Sequence, residues 1–255
     1  MKKYSKNMIN DKINIETILS RFPKTRTELP VAFQKIYHEH YHNNRQGGTN
    51  ASRLANTFER WMHQKVAADL KDIRGDYETL EIGAGTLNHL SFENLNHPYD
   101  IVEPFTELYA NSDNLRLIRQ IFADVNAIPT TVRYDRILSI ATFEHLSHLP
   151  NMMATLGKLL KPNGVVRIAI PSEGGPLWKL AWKLSTGLEF RIKYHLDYGI
   201  LMKYEHINTW QEINDLLHYF FAEVKKHYFG LSAHLSLYQL YECKQPLLER
   251  CDSIR

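Results

Sequence analysis

Nine residues, Leu80-Glu81-Ile82-Gly83-Ala84-Gly85-Thr86-Leu87-Asn88, join an apolar run, an acid and two glycines. A strand ending in an acid, followed by a glycine turn and a helix, lets a ligand approach backbone that a Cβ would otherwise shield. The N–H groups at the start of that helix would face an anionic part of the ligand. Two further acids close the next two apolar runs: Glu103 in Asp100-Ile101-Val102-Glu103-Pro104, and Asp124 in Phe122-Ala123-Asp124-Val125. A carboxylate about 20 residues past the glycines, as Glu103 is, can accept both hydroxyls of a ribose. Asp124 is placed to accept from the exocyclic amine of an adenine. Each acid alone would read as a solvated strand end; three at successive strand ends form a constellation.

These side chains need a sheet to hold them. From residue 76 the chain alternates short apolar runs with helical or polar segments: 79–82, 99–102, 120–123, 136–140 and 165–170. Strands alternating with helices predict βαβ units and a mainly parallel sheet. A helix carrying Met152, Met153, Leu156, Leu159 and Leu160 on one face is expected to stop at Lys161-Pro162-Asn163-Gly164. Thr209-Trp210-Gln211-Glu212 has the form of a capping box and opens a helix with Ile213, Leu216, Leu217 and Phe220 on one face. Two last runs, 223–228 and 236–242, make a closing antiparallel hairpin and bring the strand count to seven. Residues 1–75 read as a helical extension, with Leu54, Phe58, Trp61, Met62, Val66 and Leu70 in one apolar stripe. Residues 76–255 read as the main domain, and 172–208 as a partly helical insertion after the fifth strand.

A dinucleotide fingerprint G-x-G-x-x-G starting at Gly83 needs glycine where Asn88 stands, and the Gly-Lys-Ser/Thr of a phosphate-binding Walker loop is absent. The chain instead resembles the class I S-adenosylmethionine-dependent methyltransferases, whose acid-x-Gly-x-Gly-x-Gly stands here as Glu81-Ile82-Gly83-Ala84-Gly85-Thr86-Leu87, with Leu87 in the third glycine's place. Phe143-Glu144-His145-Leu146 and the Leu-Leu-Lys-Pro-Asn-Gly run at 159–164 are similar to the small-molecule branch of that family. The resemblance covers about residues 76–171, and the closing helix and hairpin more loosely. It implies a Rossmann-like α/β fold and S-adenosylmethionine as cofactor. It also implies that Gly83, Ala84 and Gly85 pack against the methionyl and ribose parts, with Glu81 supporting the methionyl amine. Glu103 would take the ribose hydroxyls, Asp124 and the Val125 amide the adenine, and Ala141 and Thr142 the methionyl end.

Methyl transfer from a sulfonium is an in-line displacement, so positioning does most of the work, and a hydroxyl or protonated amine acceptor would add a need for a general base. His145, just past the fourth strand, is the first candidate, because imidazole changes charge close to neutral pH. The same position equally suits a helix-end histidine that shapes the pocket. His206 comes second, and otherwise reads as a surface histidine before a helix cap. Glu173, in Pro171-Ser172-Glu173-Gly174-Gly175, could contact the acceptor or stand as a loop carboxylate in water.

Composition bounds the rest. The chain has 255 residues, 44% hydrophobic and 23% charged, enough apolar material for a full core and incompatible with a disordered protein. A formal charge of +3 lacks the clustered basic excess of a nucleic-acid binder. The N-terminal residues MKKYSKNMINDKINIETILS have no continuous apolar stretch, so no signal peptide is expected, and no run approaches the roughly 20 apolar residues of a membrane span. Cys243 and Cys251 are expected as reduced thiols, which with these features gives a cytoplasmic protein. His38, His40 and His42 invite a metal, but the surroundings look helical, where only His38 and His42 would share a face; no metal is expected. Tyr41 or Arg45 is a candidate to close over the cofactor. Trp178, Trp182, Phe190 and Tyr194, interleaved with Lys179, Lys183, Arg191 and Lys193, read as a packed cap with its lysines in solvent or as an aromatic, basic pocket wall.

The expected function is methyl transfer to a small molecule or glycan intermediate. The alternatives are a non-catalytic nucleoside-binding or partner subunit, and an NAD-dependent oxidoreductase, which Asn88 and Glu81 disfavour.

Overall fold

The computed structural model describes residues 15–37 and 59–254, apart from 35 and 95. Seven strands form one sheet in the order β3-β2-β1-β4-β5-β7-β6. They are β1 (Thr79–Ile82), β2 (Tyr99–Val102), β3 (Gln120–Phe122), β4 (Tyr134–Ile140), β5 (Leu160–Pro171), β6 (Phe221–Gly230) and β7 (Ser236–Pro246). β1 to β5 run parallel, while β7 is antiparallel to both β5 and β6. The Rossmann-like sheet and its closing hairpin are therefore as the sequence indicates. Every residue of β1 and β2 is buried, since both faces of a parallel sheet are covered.

On one face lie helices α1 (Leu149–Leu159) and α5 (Trp210–Phe220), with the short α6 (Leu248–Ser253) beside them. The capping box of α5 forms: the Thr209 hydroxyl accepts from the Glu212 N–H, and the Glu212 carboxylate accepts from the Thr209 N–H. Ile213, Leu216, Leu217 and Phe220 are fully buried, each contributing on the order of 1.5–3 kcal/mol. On the other face, helical residues 59–66 and a 3-10 turn, Ala67–Lys71, set Met62 and Val66 against Leu87, Leu90, Tyr99 and Ile101. Of the predicted N-terminal stripe, Leu54 and Phe58 lie outside the described residues.

Two arginines inside the sheet hold this segment. Arg136 of β4 pairs with Asp69 at 2.9 Å and Glu93 at 2.8 Å, and Arg167 of β5 donates to the Val66 and Lys65 carbonyls at 2.8 and 2.7 Å. The second pair of bonds satisfies carbonyls at the end of helix 59–66 that the helix itself leaves open. Residues 172–208 form three helices, α2 (Pro176–Leu184), α3 (Thr186–Tyr194) and α4 (Gly199–Glu205). Their Phe190 and Leu201 pack with Leu29 and Phe33, so residues 29–37 belong to this cap.

Two local expectations are corrected. Lys161-Pro162-Asn163-Gly164 is no free turn; these residues lie in β5, where Leu160 pairs with Tyr134 and a register shift absorbs the irregularity. The helix expected after the glycine loop is a five-residue 3-10 turn, Asn88–Phe92. Leu87 enters it in the left-handed conformation, and His89 bonds Glu93 across it at 2.9 Å, so no helix long enough to present a strong dipole forms.

Candidate active site

The strand order reverses between β1 and β4, which opens a crevice at the carboxyl ends of these strands. The glycine loop forms its floor. Gly83 has φ +73°, and a Cβ there would lie 2.6 Å from Cγ2 of Thr142, so a protein neighbour by itself requires glycine here. Gly85, at φ +52°, has nothing within 4 Å of the Cβ position among the described residues, so none of them closes its outer side. Leu87, in the third glycine's place, has φ +63°. That conformation costs a non-glycine residue roughly 1–2 kcal/mol, which the complete burial of the Leu87 side chain offsets. Ala84, buried beside it, anchors the loop in the same cluster.

The three strand-end acids differ. Glu103 is 5% exposed; Oε2 accepts from the Gly85 N–H at 2.8 Å and Oε1 from the Phe105 N–H at 3.0 Å, strapping the loop to the end of β2. An ionised carboxylate has about four acceptor positions, so two remain for hydroxyls. Asp124 is exposed at the tip of β3, and its Oδ1 accepts from the Asn126 backbone and side chain, each at 2.7 Å, beside the buried Val125. Glu81 lies beneath the loop rather than in the crevice wall. It is 2% exposed and accepts the Tyr99 hydroxyl at 2.8 Å; burial pushes its carboxyl up to about 8. Open Gly85, Glu103 and exposed Asp124 fit an adenosyl ligand laid across the strand ends.

Ala141 (φ +50°) and Thr142 turn the chain out of β4 into a one-turn segment, Phe143–His145. That turn is stitched to the start of α5: the Glu144 carbonyl accepts from the N–H groups of Ile207 and Asn208, and the Asn208 side chain donates to the Phe143 and Leu146 carbonyls. His145 and His206, far apart in sequence, thereby come to 4.9 Å between ring centres. His145 Nδ1 is 2.9 Å from the Glu205 carbonyl, and His206 Nδ1 is 2.9 Å from Oε2 of Glu173. A carbonyl cannot donate. Burial works against ionisation of Glu173, but hydrogen bonds from His206 and Trp178 hold it below the usual carboxylate range, so it too only accepts. Both imidazoles therefore carry hydrogen on Nδ1, which leaves Nε2 as the atom that offers a lone pair when the ring is neutral.

His206 and Glu173 thus depart from the surface readings: their side chains are 13% and 21% exposed, and Trp178 Nε1 donates to Glu173 at 2.7 Å. The sequence reading passed over Glu144 and Glu205. Glu144 is 1% exposed; burial, aided by the charges of Glu173 and Glu205 and opposed by His145, pushes it up to about 7. Its Oε2 and the Oε1 of Glu205 have no hydrogen-bond partner among the described residues. The signal available was a repeated dipeptide, Glu144-His145 and Glu205-His206.

In the cap, Phe190 is buried and stacks on Phe33, while Trp178 reaches the crevice side, 5.3 Å from Tyr238 between ring centres. A separate recess of about 510 Å³, lined by Trp182, Leu188 and Arg191 among others, is built by α2, α3 and the link that leads from α3 to α4. The residues His38, His40, Tyr41, His42 and Arg45 lie outside the described part of the chain.

Comparison with known proteins agrees with this geometry. A methyltransferase-domain family matches residues 30–222. No curated protein sequence matches the chain. Among solved structures, the plantazolicin methyltransferase BpumL, in complex with a monoazolic desmethylPZN analog and SAH, superposes with a TM-score of 0.59 at 13% identity, covering 92% of this chain and 99% of that one. The CurJ carbon methyltransferase gives 0.52 at 17% identity over 77% of this chain, which spans 55% of that one. No helix of the described residues is long and apolar enough to cross a membrane. By its matched family, its sheet order and its glycine loop, the chain belongs to the methyltransferase-domain family and is an S-adenosylmethionine-dependent methyltransferase of the class I, Rossmann-like type.

Proposed function

We propose that the enzyme methylates a small molecule or glycan intermediate, with donor and acceptor at opposite halves of the crevice. The donor half spans the ends of β1, β2 and β3. One observation carries its assignment: open Gly85, Glu103 and exposed Asp124 follow one another on three adjacent strands. Two strand spacings are about 10 Å, the reach of an adenosine. Glu103 would accept the ribose hydroxyls on its remaining lone pairs, and Asp124 with the Val125 amide the adenine. Gly83, Ala84 and Gly85, with Ala141 and Thr142, would flank the methionyl end, and Glu81 would act on its ammonium from beneath the loop. Bound there, the cofactor supplies a methyl group already activated for in-line displacement.

The acceptor half lies at the ends of β4 and β5 under α2 and α4. His145 and His206 are the catalytic residues, acting on the acceptor's hydroxyl or amine through the lone pair at Nε2. Trp178 and Tyr238 offer aromatic faces, which suit a sugar or another ring. The BpumL complex with an azole-containing analog supports an acceptor of natural-product size. Two unpaired, buried thiols, Cys243 and Cys251, fit a cytoplasmic setting. Membership of a methyltransferase family disfavours a role without turnover. Calorimetry with S-adenosylmethionine, S-adenosylhomocysteine and NAD is the test. Binding of both sulfur nucleosides is expected, and binding of NAD alone would overturn the reading. Transfer of label from the methyl group to an extract component then identifies the acceptor.

A further inference from the structure

Glu144, His145 and His206 each bring one ligand atom within 4.8 Å of the other two. We infer that these three side chains form a site for a first-row divalent metal ion at the acceptor end of the crevice, with two imidazole Nε2 atoms and one carboxylate oxygen as ligands.

Four observations converge. The Nε2 atoms of both histidines make no hydrogen bond among the described residues, and His145 Nε2 stands 3.7 Å from Oε1 of Glu144. Each Nδ1–H is fixed by an outer acceptor, the Glu205 carbonyl for His145 and the Glu173 carboxylate for His206. Metal-bound histidines are oriented in this manner. The Glu144 side chain is 1% exposed, yet its Oε2 has no partner, and Oε1 of neighbouring Glu205 is equally bare. Buried carboxylate oxygens without donors are costly unless a cation faces them. Finally, two imidazoles and one carboxylate form a set that suits Zn²⁺, Fe²⁺, Co²⁺ or Mn²⁺ and leaves positions open for an acceptor oxygen. Ligands bound at about 2.1 Å sit roughly 3–3.4 Å apart, so small side-chain rotations close the cluster.

The inference rests on the reading of this half as the acceptor site and specifies how the histidines act there. A cation held by both Nε2 atoms would bind the acceptor oxygen and favour its deprotonated form, the hydroxyl proton passing to water instead of to imidazole.

The test is titration of the untagged, chelator-treated full chain with Co²⁺, followed by its visible absorption, with S-adenosylhomocysteine binding measured in parallel. One equivalent of Co²⁺ per chain is expected, displaced by Zn²⁺. Glu144→Gln and His206→Gln should weaken it more than 100-fold, and Glu173→Gln, which only orients His206, by 10–100-fold; nucleoside binding should stay within about threefold. Absence of stoichiometric binding by the wild type overturns the site, as does Co²⁺ affinity that survives Glu144→Gln but is lost in a His38→Ala, His42→Ala variant. Should Glu144→Gln fail to fold, unchanged affinity in Glu173→Gln overturns it. Loss of nucleoside binding by the wild type would instead count against the methyltransferase reading, so the two failures are separable.

Discussion

The two halves of the crevice are built on opposite principles. At the donor half the acids are satisfied by the chain itself: both oxygens of Glu103 hold backbone N–H groups, and Asp124 caps its own turn. At the acceptor half, buried oxygens of Glu144 and Glu205 have no donors among the described residues, and two imidazoles hydrogen-bond to the chain through Nδ1 only. A satisfied carboxylate fixes a shape and can wait for a ligand without cost. An unsatisfied one raises the energy of the empty pocket and favours whatever brings it a positive charge or a proton. The donor half is thus a mould, and the acceptor half holds the reactive groups.

The comparison can be broken by substitution. Gly85→Arg, which fills the open side of the loop, should abolish S-adenosylhomocysteine binding by calorimetry; retained binding would show that the ligand lies elsewhere. His145→Ala should keep that binding and slow turnover by on the order of 10²–10⁴-fold. A variant with full turnover removes His145 from the reaction. Glu103→Gln should weaken nucleoside binding by roughly 10–100-fold, as loss of charge-assisted bonds worth about 1.5–3 kcal/mol implies; its kcat should change less than its KM for the donor.

The smallest effect is one of pH. The Glu81 carboxyl is raised from an ordinary value of 4.5 to about 8 in the folded chain. The native state therefore binds a proton that the unfolded chain releases. Its contribution to stability is complete below pH 4.5, declines above it, and is lost as pH rises through 8. The thermal midpoint of the ligand-free protein should fall across that window, and Glu81→Gln should flatten the slope. It should not erase it, because Glu144 titrates in the same direction. An identical slope in the variant would mean that Glu81 is ionised in the fold.

Legibility in the sequence followed burial. Strands covered on both faces are mostly apolar, so β1 and β2 could be bounded to the residue even though each encloses one acid, Glu81 or Asp100. The Thr209–Glu212 cap was legible because its chemistry is local. What depended on distant partners was not. Nothing in the sequence indicated that Thr142 would stand where a Cβ of Gly83 would lie, and Lys161-Pro162-Asn163-Gly164 looked like a turn until β4 was seen beside it. The acceptor half was hardest, since Glu173 and His206 acquire meaning only when the end of β5 meets the start of α5. An acid beside a histidine in sequence does not disclose that it will be buried.

The guanidinium groups of Arg136 and Arg167, enclosed in the middle of the sheet, find their counter-charge in Asp69, Glu93 and Glu242, and Arg167 finds acceptors in the carbonyls of Lys65 and Val66. A shortened protein beginning at residue 76, however well it kept the glycine loop, would strip Asp69 and both carbonyls from two enclosed cations and leave one carboxylate apiece, Glu93 for Arg136 and Glu242 for Arg167. Such a fragment would sooner swell or precipitate than serve as a minimal enzyme.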